Sequence, residues 1–145
     1  MNLTARKKNS YSIQSQKWET EFDKSRAWRT RLGFILISND TVIEGDMFRL
    51  APEGVEIHFI RSKMPTGVTV ENLASMENEL ADSAKEFMPE FEIEVVCYAC
   101  TSGSVVIGED NVLKELVKGN PKRKATTLIT GVIKGLEVLS AKKIV

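Results

Sequence analysis

No apolar run in this chain approaches the ~20 residues needed to span a bilayer, so nothing in it reads as a transmembrane helix. Charge of one sign is also missing, because 20 basic and 20 acidic side chains cancel to a net charge of zero. That balance gives no general attraction to nucleic acid or to an anionic membrane surface, leaving only a local patch to supply one. Histidine occurs once, at His58, and cysteine twice, at Cys97 and Cys100. A Cys-x-x-Cys spacing reads as a redox pair when its first cysteine opens a helix, or as half a zinc site when a second pair follows. Here no second pair follows and the histidine lies in a different segment, so no metal is expected. Residues 1–8 are basic, but residues 9–30 contain no apolar h-region, so the start does not read as a secretory signal. The cytoplasm is then the default location.

The length of 145 residues suits one ordinary domain. Residues 1–30 are polar and charged. Trp18, Phe22 and Trp28, scattered through residues 14–29, suggest an amphipathic helical arm that packs on the domain or on a partner subunit. The apolar run 31–37 has strand length, and such runs suit parallel strands covered on both faces. Ser38-Asn39-Asp40-Thr41 carries helix-start signals, with Glu44 three residues after Thr41 as in a capping box. The helix ends near Leu50 at Ala51-Pro52-Glu53-Gly54, and residues 55–61 form a second strand.

A loop with Pro65 and Gly67 leads into one long helix over 69–88. In it Leu73, Met76, Leu80, Ala84 and Phe87 keep a three-to-four spacing, and Pro89 closes it. A third strand is expected at 93–98, a turn through 103–107, and a helix at 109–117 stopped by Gly119-Asn120-Pro121. Lys122-Arg123-Lys124 reads as a solvated basic connector, and Ala125-Thr126-Thr127 as a short strand or cap. A helix over 128–139 carries Leu128, Val132, Leu136 and Leu139 on one stripe, and residues 142–145 look like the opening of another strand. Strands alternating with helices predict an α/β, Rossmann-like fold with a parallel sheet and right-handed crossovers. A nascent strand at the end is the expectation for the N-terminal portion of a longer chain.

The segment that carries chemistry is Tyr98-Ala99-Cys100-Thr101-Ser102-Gly103-Ser104, directly after Ile93-Glu94-Val95-Val96-Cys97. It puts a thiol where a buried strand ends and a hydroxyl-rich turn begins, and open α/β sheets bind ligands at the carboxyl ends of their strands. Cys97 falls inside the apolar run, opposite in direction to Tyr98. It reads as a small buried core residue, in keeping with the habit of free cysteine. His58, between Ile57 and Phe59, has no partner in the sequence that marks it as catalytic.

Several ordered segments together resemble the aspartate/glutamate racemase superfamily. They are Leu32-Gly33-Phe34-Ile35-Leu36 with Asp40-Thr41 and Glu44, then Arg61, then Thr69-x-Glu71-Asn72-Leu73, and finally Cys97 through Gly108. Within that superfamily the chain is similar to the maleate cis-trans isomerase and arylmalonate decarboxylase branch, and most of all to ectoine-utilisation proteins of the EutA type. The resemblance covers residues 31–145 and leaves the arm unmatched.

The resemblance implies an enzyme of two similar α/β lobes, each giving one residue, often cysteine, to the cleft between them. It divides the chain into an arm (1–30), a first lobe (31–121) and the start of a second (122–145), with the second catalytic residue beyond Val145. It also implies a cofactor-free isomerase, racemase or decarboxylase acting next to a carboxylate of a small carboxylic or dicarboxylic acid, with no nucleic acid or membrane as partner. Cys100 matches the first-lobe cysteine, and a helix start favours its thiolate. Thr101 and Ser102 match donors for the enolate-like oxygens that such chemistry builds, where losing one donor costs on the order of 100-fold in rate. Asp40 stands where maleate isomerases have asparagine; it either orients or deprotonates Cys100 or simply caps a helix. Ser38 and Asn39 are turn residues or substrate contacts, and Thr127 is a substrate contact or, more simply, a cap. The competing classes are a binding or accessory protein that keeps the lobe without turnover, and a homo-oligomer in which two such chains face each other.

Overall fold

The computed structural model describes residues 15–21, 26–87 and 92–144. Four strands form one parallel sheet among them: β1 (Thr30–Ile37), β2 (Val55–Ser62), β3 (Val95–Ala99) and β4 (Lys124–Thr127). Their order is β2-β1-β3-β4. Leu32 aligns with Ile57 on one side of β1 and with Val95 on the other, and Val95 aligns in turn with Lys124. The chain thus adds β2 on one flank of β1, then crosses to the other flank for β3. The sheet reverses its winding between β1 and β3, which is the switch point where open α/β sheets form a crevice.

Alternating side chains divide the core into two layers. Ile35 of β1 and Val96 and Tyr98 of β3 meet Leu73, Met76, Leu80, Val112 and Leu116. These come from α2 (Val70–Ser75), α3 (Glu77–Lys85) and α5 (Glu109–Val117), which join α4 (Thr101–Ile107) on this face. Phe34, Leu36, Cys97 and Ala99 point the other way, towards Ile43 and Met47 of α1 (Ile43–Leu50) and Leu128 of α6 (Leu128–Val138). Each fully buried aliphatic here, such as Ile35, Leu36 or Leu80, contributes about 1.5–3 kcal/mol relative to exposure. The continuous apolar run of β1 is therefore explained by burial on both faces.

Several expectations change in the structure. The helix expected over 69–88 is two helices meeting at Met76; Met88 and Pro89 lie outside the described residues. Ser75 Oγ donates to Asn72 O at 2.8 Å, and the Met76 amide turns back to Leu73 O, an i→i−3 bond that tightens the turn. Leu73, Met76 and Leu80 stay in one core cluster across the break. The turn expected through 103–107 is α4, which begins at Thr101.

Arg123 is not a solvated connector but is 6% exposed. Its Nη1 donates to Ala84 O at 2.8 Å, Nη2 donates to Phe87 O, and the guanidinium lies over the Phe87 ring. It satisfies the carbonyls left open at the end of α3. Residues 141–144 form no strand, and residues 15–21 form no helix. The remainder of the expected helical arm is divided between described turn residues at 26–29 and residues outside the description, Phe22 among them. The domain boundary expected at 121/122 falls in the connection between α5 and β4, and β4 pairs with β3.

Candidate active site

Because the strands are parallel, their carboxyl ends share one edge. That edge gathers Ser38, Asn39 and Asp40 after β1, Cys100 with Thr101 and Ser102 after β3, and Thr127 at the end of β4. The β1 and β3 groups flank the switch point.

Cys100 is the N-cap of α4, held in extended backbone at φ −138° and ψ 107°. Its sulfur takes the place that serine, threonine or aspartate oxygens usually fill at a helix start. The Gly103 amide donates to Sγ at 3.3 Å, and Sγ lies 3.7 Å from Ser102 Oγ. The Cys100 carbonyl accepts from the Ser104 amide at 3.0 Å and from Ser104 Oγ at 2.7 Å, which fixes the backbone beneath the thiol. Thr101 and Ser102 are exposed, and their amides occupy the first two positions of the helix, ahead of any intrahelical acceptor. The arrangement therefore offers hydroxyl and amide donors around a thiol whose sulfur already accepts a backbone hydrogen bond.

Gly103 makes this turn possible. A Cβ there would stand 2.7 Å from Tyr98 Oη and 3.0 Å from Cys100 Sγ. Tyr98 is fully buried beneath the turn, its hydroxyl donating to Met76 Sδ at 3.7 Å. Burial, and after it the neighbouring Cys100, push the Tyr98 hydroxyl above the usual tyrosine range. In the sequence Tyr98 opens the segment that carries Cys100 without a role of its own; its position two residues before the thiol, on the same side of the strand register, was the available signal.

Cys97 packs in the opposite layer with Phe34, Leu36 and Ala99, and burial pushes its thiol up to about 12. Both cysteines are free and buried, and they pack in different core clusters on opposite faces of the sheet.

Asp40 Oδ1 accepts the amides of Val42 at 3.0 Å and Ile43 at 2.9 Å, so it caps the start of α1. The capping box expected from Thr41 and Glu44 does not form: α1 begins later, at Ile43, and the Glu44 carboxylate pairs with Arg61 at 2.9 Å. Arg61, at the end of β2, also donates to Asp40 O at 2.7 Å and Ser38 O at 3.4 Å. It pins the β1–α1 loop from the neighbouring strand. Ser38 and Asn39 line an open cleft of about 410 Å³ with Met64, Pro65, Thr66 and Gly67.

Thr127 is buried and committed. Its Oγ1 accepts the Thr130 amide at 3.1 Å and donates to Glu109 Oε1 at 3.1 Å, with Thr130 Oγ1 also donating to that carboxylate. Of its two expected roles, the geometry displays the cap. His58 sits on edge strand β2 with Nε2 3.5 Å from Glu56 Oε2, away from this cluster. The Arg31 guanidinium, 3.0 Å from the Glu56 carboxylate, does most to hold that group below its ordinary range.

No family model matches the chain, and no curated protein matches it. Solved structures do. A variant of maleate isomerase Iso from Pseudomonas putida S16 with maleate aligns with a TM-score of 0.65 at 24% identity, over 78% of this chain and 50% of that one. A cysteine-to-serine mutant of Nocardia farcinica maleate cis-trans isomerase, with a covalently bound succinylcysteine intermediate, aligns at TM-score 0.63 and 24% identity over 77% and 49%. Unliganded arylmalonate decarboxylase aligns at 0.54 and 23% over 77% and 47%. The chain shares its fold with these proteins. It spans about half the length of each, and the expected racemase-type α/β architecture is the one found.

Proposed function

We propose that this chain is one lobe of a cofactor-independent enzyme that acts next to a carboxylate of a small organic acid through the Cys100 thiolate. The observation that carries the reading is the placement of Cys100: a thiol as the N-cap of α4, at the carboxyl edge beside the switch point, with Sγ accepting the Gly103 amide. The fold shared with maleate isomerases and a decarboxylase supports the reaction class, and the succinylcysteine in one of them supports carbon–sulfur bond formation.

For a cis-enedioate such as maleate, the thiolate adds to one alkene carbon, and the displaced π electrons move onto the adjoining carboxylate as an enediolate. The former double bond is now single and rotates. Return of that electron pair expels the thiolate and leaves the trans product, so no net proton or electron is consumed. Thr101 and Ser102 supply hydroxyl and amide donors for the oxygens that gain charge, and such donors act most strongly where water is excluded. Ser38 and Asn39, in their cleft, hold the far end of the acid. Asp40, in the loop across the switch point from Cys100, orients or deprotonates the thiol. The remaining catalytic group comes from a second, facing lobe. Ectoine breakdown is the metabolic setting suggested by the EutA-type resemblance, of which Cys97–Gly108 is the most specific segment.

The test is turnover by the full-length protein in deuterated water against small dicarboxylates and N-acyl amino acids. Activity that vanishes in Cys100→Ser supports the reading. Deuterium uptake marks racemisation or decarboxylation, and isomerisation without it marks thiolate addition. A protein that binds these acids without converting any of them is an accessory lobe, and the proposal is then wrong.

A further inference from the structure

Among the described residues, Tyr98 is the fully buried hydroxyl group packed against the reactive turn whose role remains open. It shares the core cluster of Cys100 and Met76. Its acceptor, Met76 Sδ at 3.7 Å, is a thioether, which accepts hydrogen bonds weakly. Buried hydroxyls take a stronger partner when one is at hand, and an ionised sulfur is a much stronger acceptor than a neutral one. Gly103 shows how near that partner is. A single point, the place of its missing Cβ, lies 2.7 Å from Tyr98 Oη and 3.0 Å from Cys100 Sγ. Both atoms border the first turn of α4, and a Cβ at residue 103 would press on each of them. The elevation of the Tyr98 hydroxyl by burial and by Cys100 means that it keeps its proton across the working range.

We propose that Tyr98 is a positioning residue for the Cys100 thiolate, its buried hydroxyl turning from Met76 Sδ to donate to Sγ when the sulfur carries charge. Together with the Gly103 amide it gives the thiolate two fixed donors, one from the helix and one from the strand beneath. The O–H bond stays intact throughout; only Sγ makes and breaks a bond to carbon. The role rests on the reading of Cys100 as the reacting group, but its signature is measurable without any substrate.

The experiment is iodoacetamide alkylation of Cys100 in the full-length protein, followed by peptide mass spectrometry from about pH 6 to about pH 10. Tyr98→Phe removes the hydroxyl and keeps the ring. Hydrogen bonds to charged groups are strong enough that its alkylation rate at pH 7 should fall about tenfold, with the whole profile displaced to higher pH. Met76→Leu removes the rival acceptor with little change in volume, and its profile should stay with the unsubstituted protein. A Tyr98→Phe profile that superimposes on the unsubstituted one overturns the proposal. So does an equal displacement in Met76→Leu, which would assign the effect to packing. If Tyr98→Phe fails to fold, replacement of tyrosine by 3-fluorotyrosine makes the phenol a better donor and should move the profile to lower pH; no movement overturns the proposal. Absence of turnover with every acid would sink the enzymatic reading and leave this displacement intact. Loss of turnover in Cys100→Ser beside an unmoved Tyr98→Phe profile would remove the positioning role alone.

Discussion

Two cysteines three residues apart have opposite fates because a strand alternates its faces. Cys97 lies among Phe34, Leu36 and Ala99, while Cys100 ends the strand and caps a helix. Burial lifts the Cys97 thiol from 9.0 to about 12, so the folded protein retains a proton that the unfolded chain releases first. Its contribution to stability is whole below about pH 9 and is lost as the pH rises towards about 12. Buried Tyr98 acts in the same direction. Urea unfolding across that range should show the decline, and Cys97→Ala should flatten part of it. Asp40 offers a second test at this scale. Its carboxylate caps α1 through Val42 and Ile43, and asparagine caps about as well as aspartate. Asp40→Asn should therefore leave the midpoint of unfolding nearly unchanged while turnover falls on the order of 100-fold, the usual worth of an acid–base group. Full activity in Asp40→Asn would reduce the residue to its cap.

Elements with a single dominant signal were legible in the sequence; those decided by competition were not. β1 and β2 followed from apolar runs, and α5 from its inward-facing Val112 and Leu116. The break at Met76 was hidden because Leu73, Met76 and Leu80 keep helical spacing through it. Arg123 was misread because three consecutive basic residues look solvated, whereas its partners, the carbonyls of Ala84 and Phe87, lie far away in the chain. Arg123→Met should cost about 2–3 kcal/mol in urea unfolding, since hydrogen bonds to a charged group are lost from buried carbonyls. Arg123→Lys should recover only part, because an ammonium lacks the fork that reaches both. Gly103→Ala sets two effects against each other. Alanine favours a helix interior by about 1 kcal/mol, but its Cβ would meet Tyr98 Oη at 2.7 Å, and overpacking costs about 1–3 kcal/mol. Differential scanning calorimetry should show a net loss; a raised melting temperature would mean that the turn has more room than the structure gives it.

At the scale of the molecule, the alternation of strands and helices was enough to predict a parallel α/β sheet, but not the order of its strands. Strand order depends on pairings between distant segments, and nothing local in β3 announces that it joins the far side of β1. That one topological fact sets Cys100 across the switch point from the Ser38–Asp40 loop and turns separate motifs into one edge. Among the described residues no helix is long and apolar enough to cross a membrane. The central claim is that this edge holds a carboxylate beside a reactive Cys100. Bromoacetate, an alkylating agent that carries its own carboxylate, tests it most directly when peptide mapping and residual turnover are followed in the same samples. The account predicts modification at Cys100 and not Cys97, with activity lost in proportion and both effects slowed by a small dicarboxylate. Modification of Cys97 in the folded protein, or turnover that survives complete modification of Cys100, would contradict it.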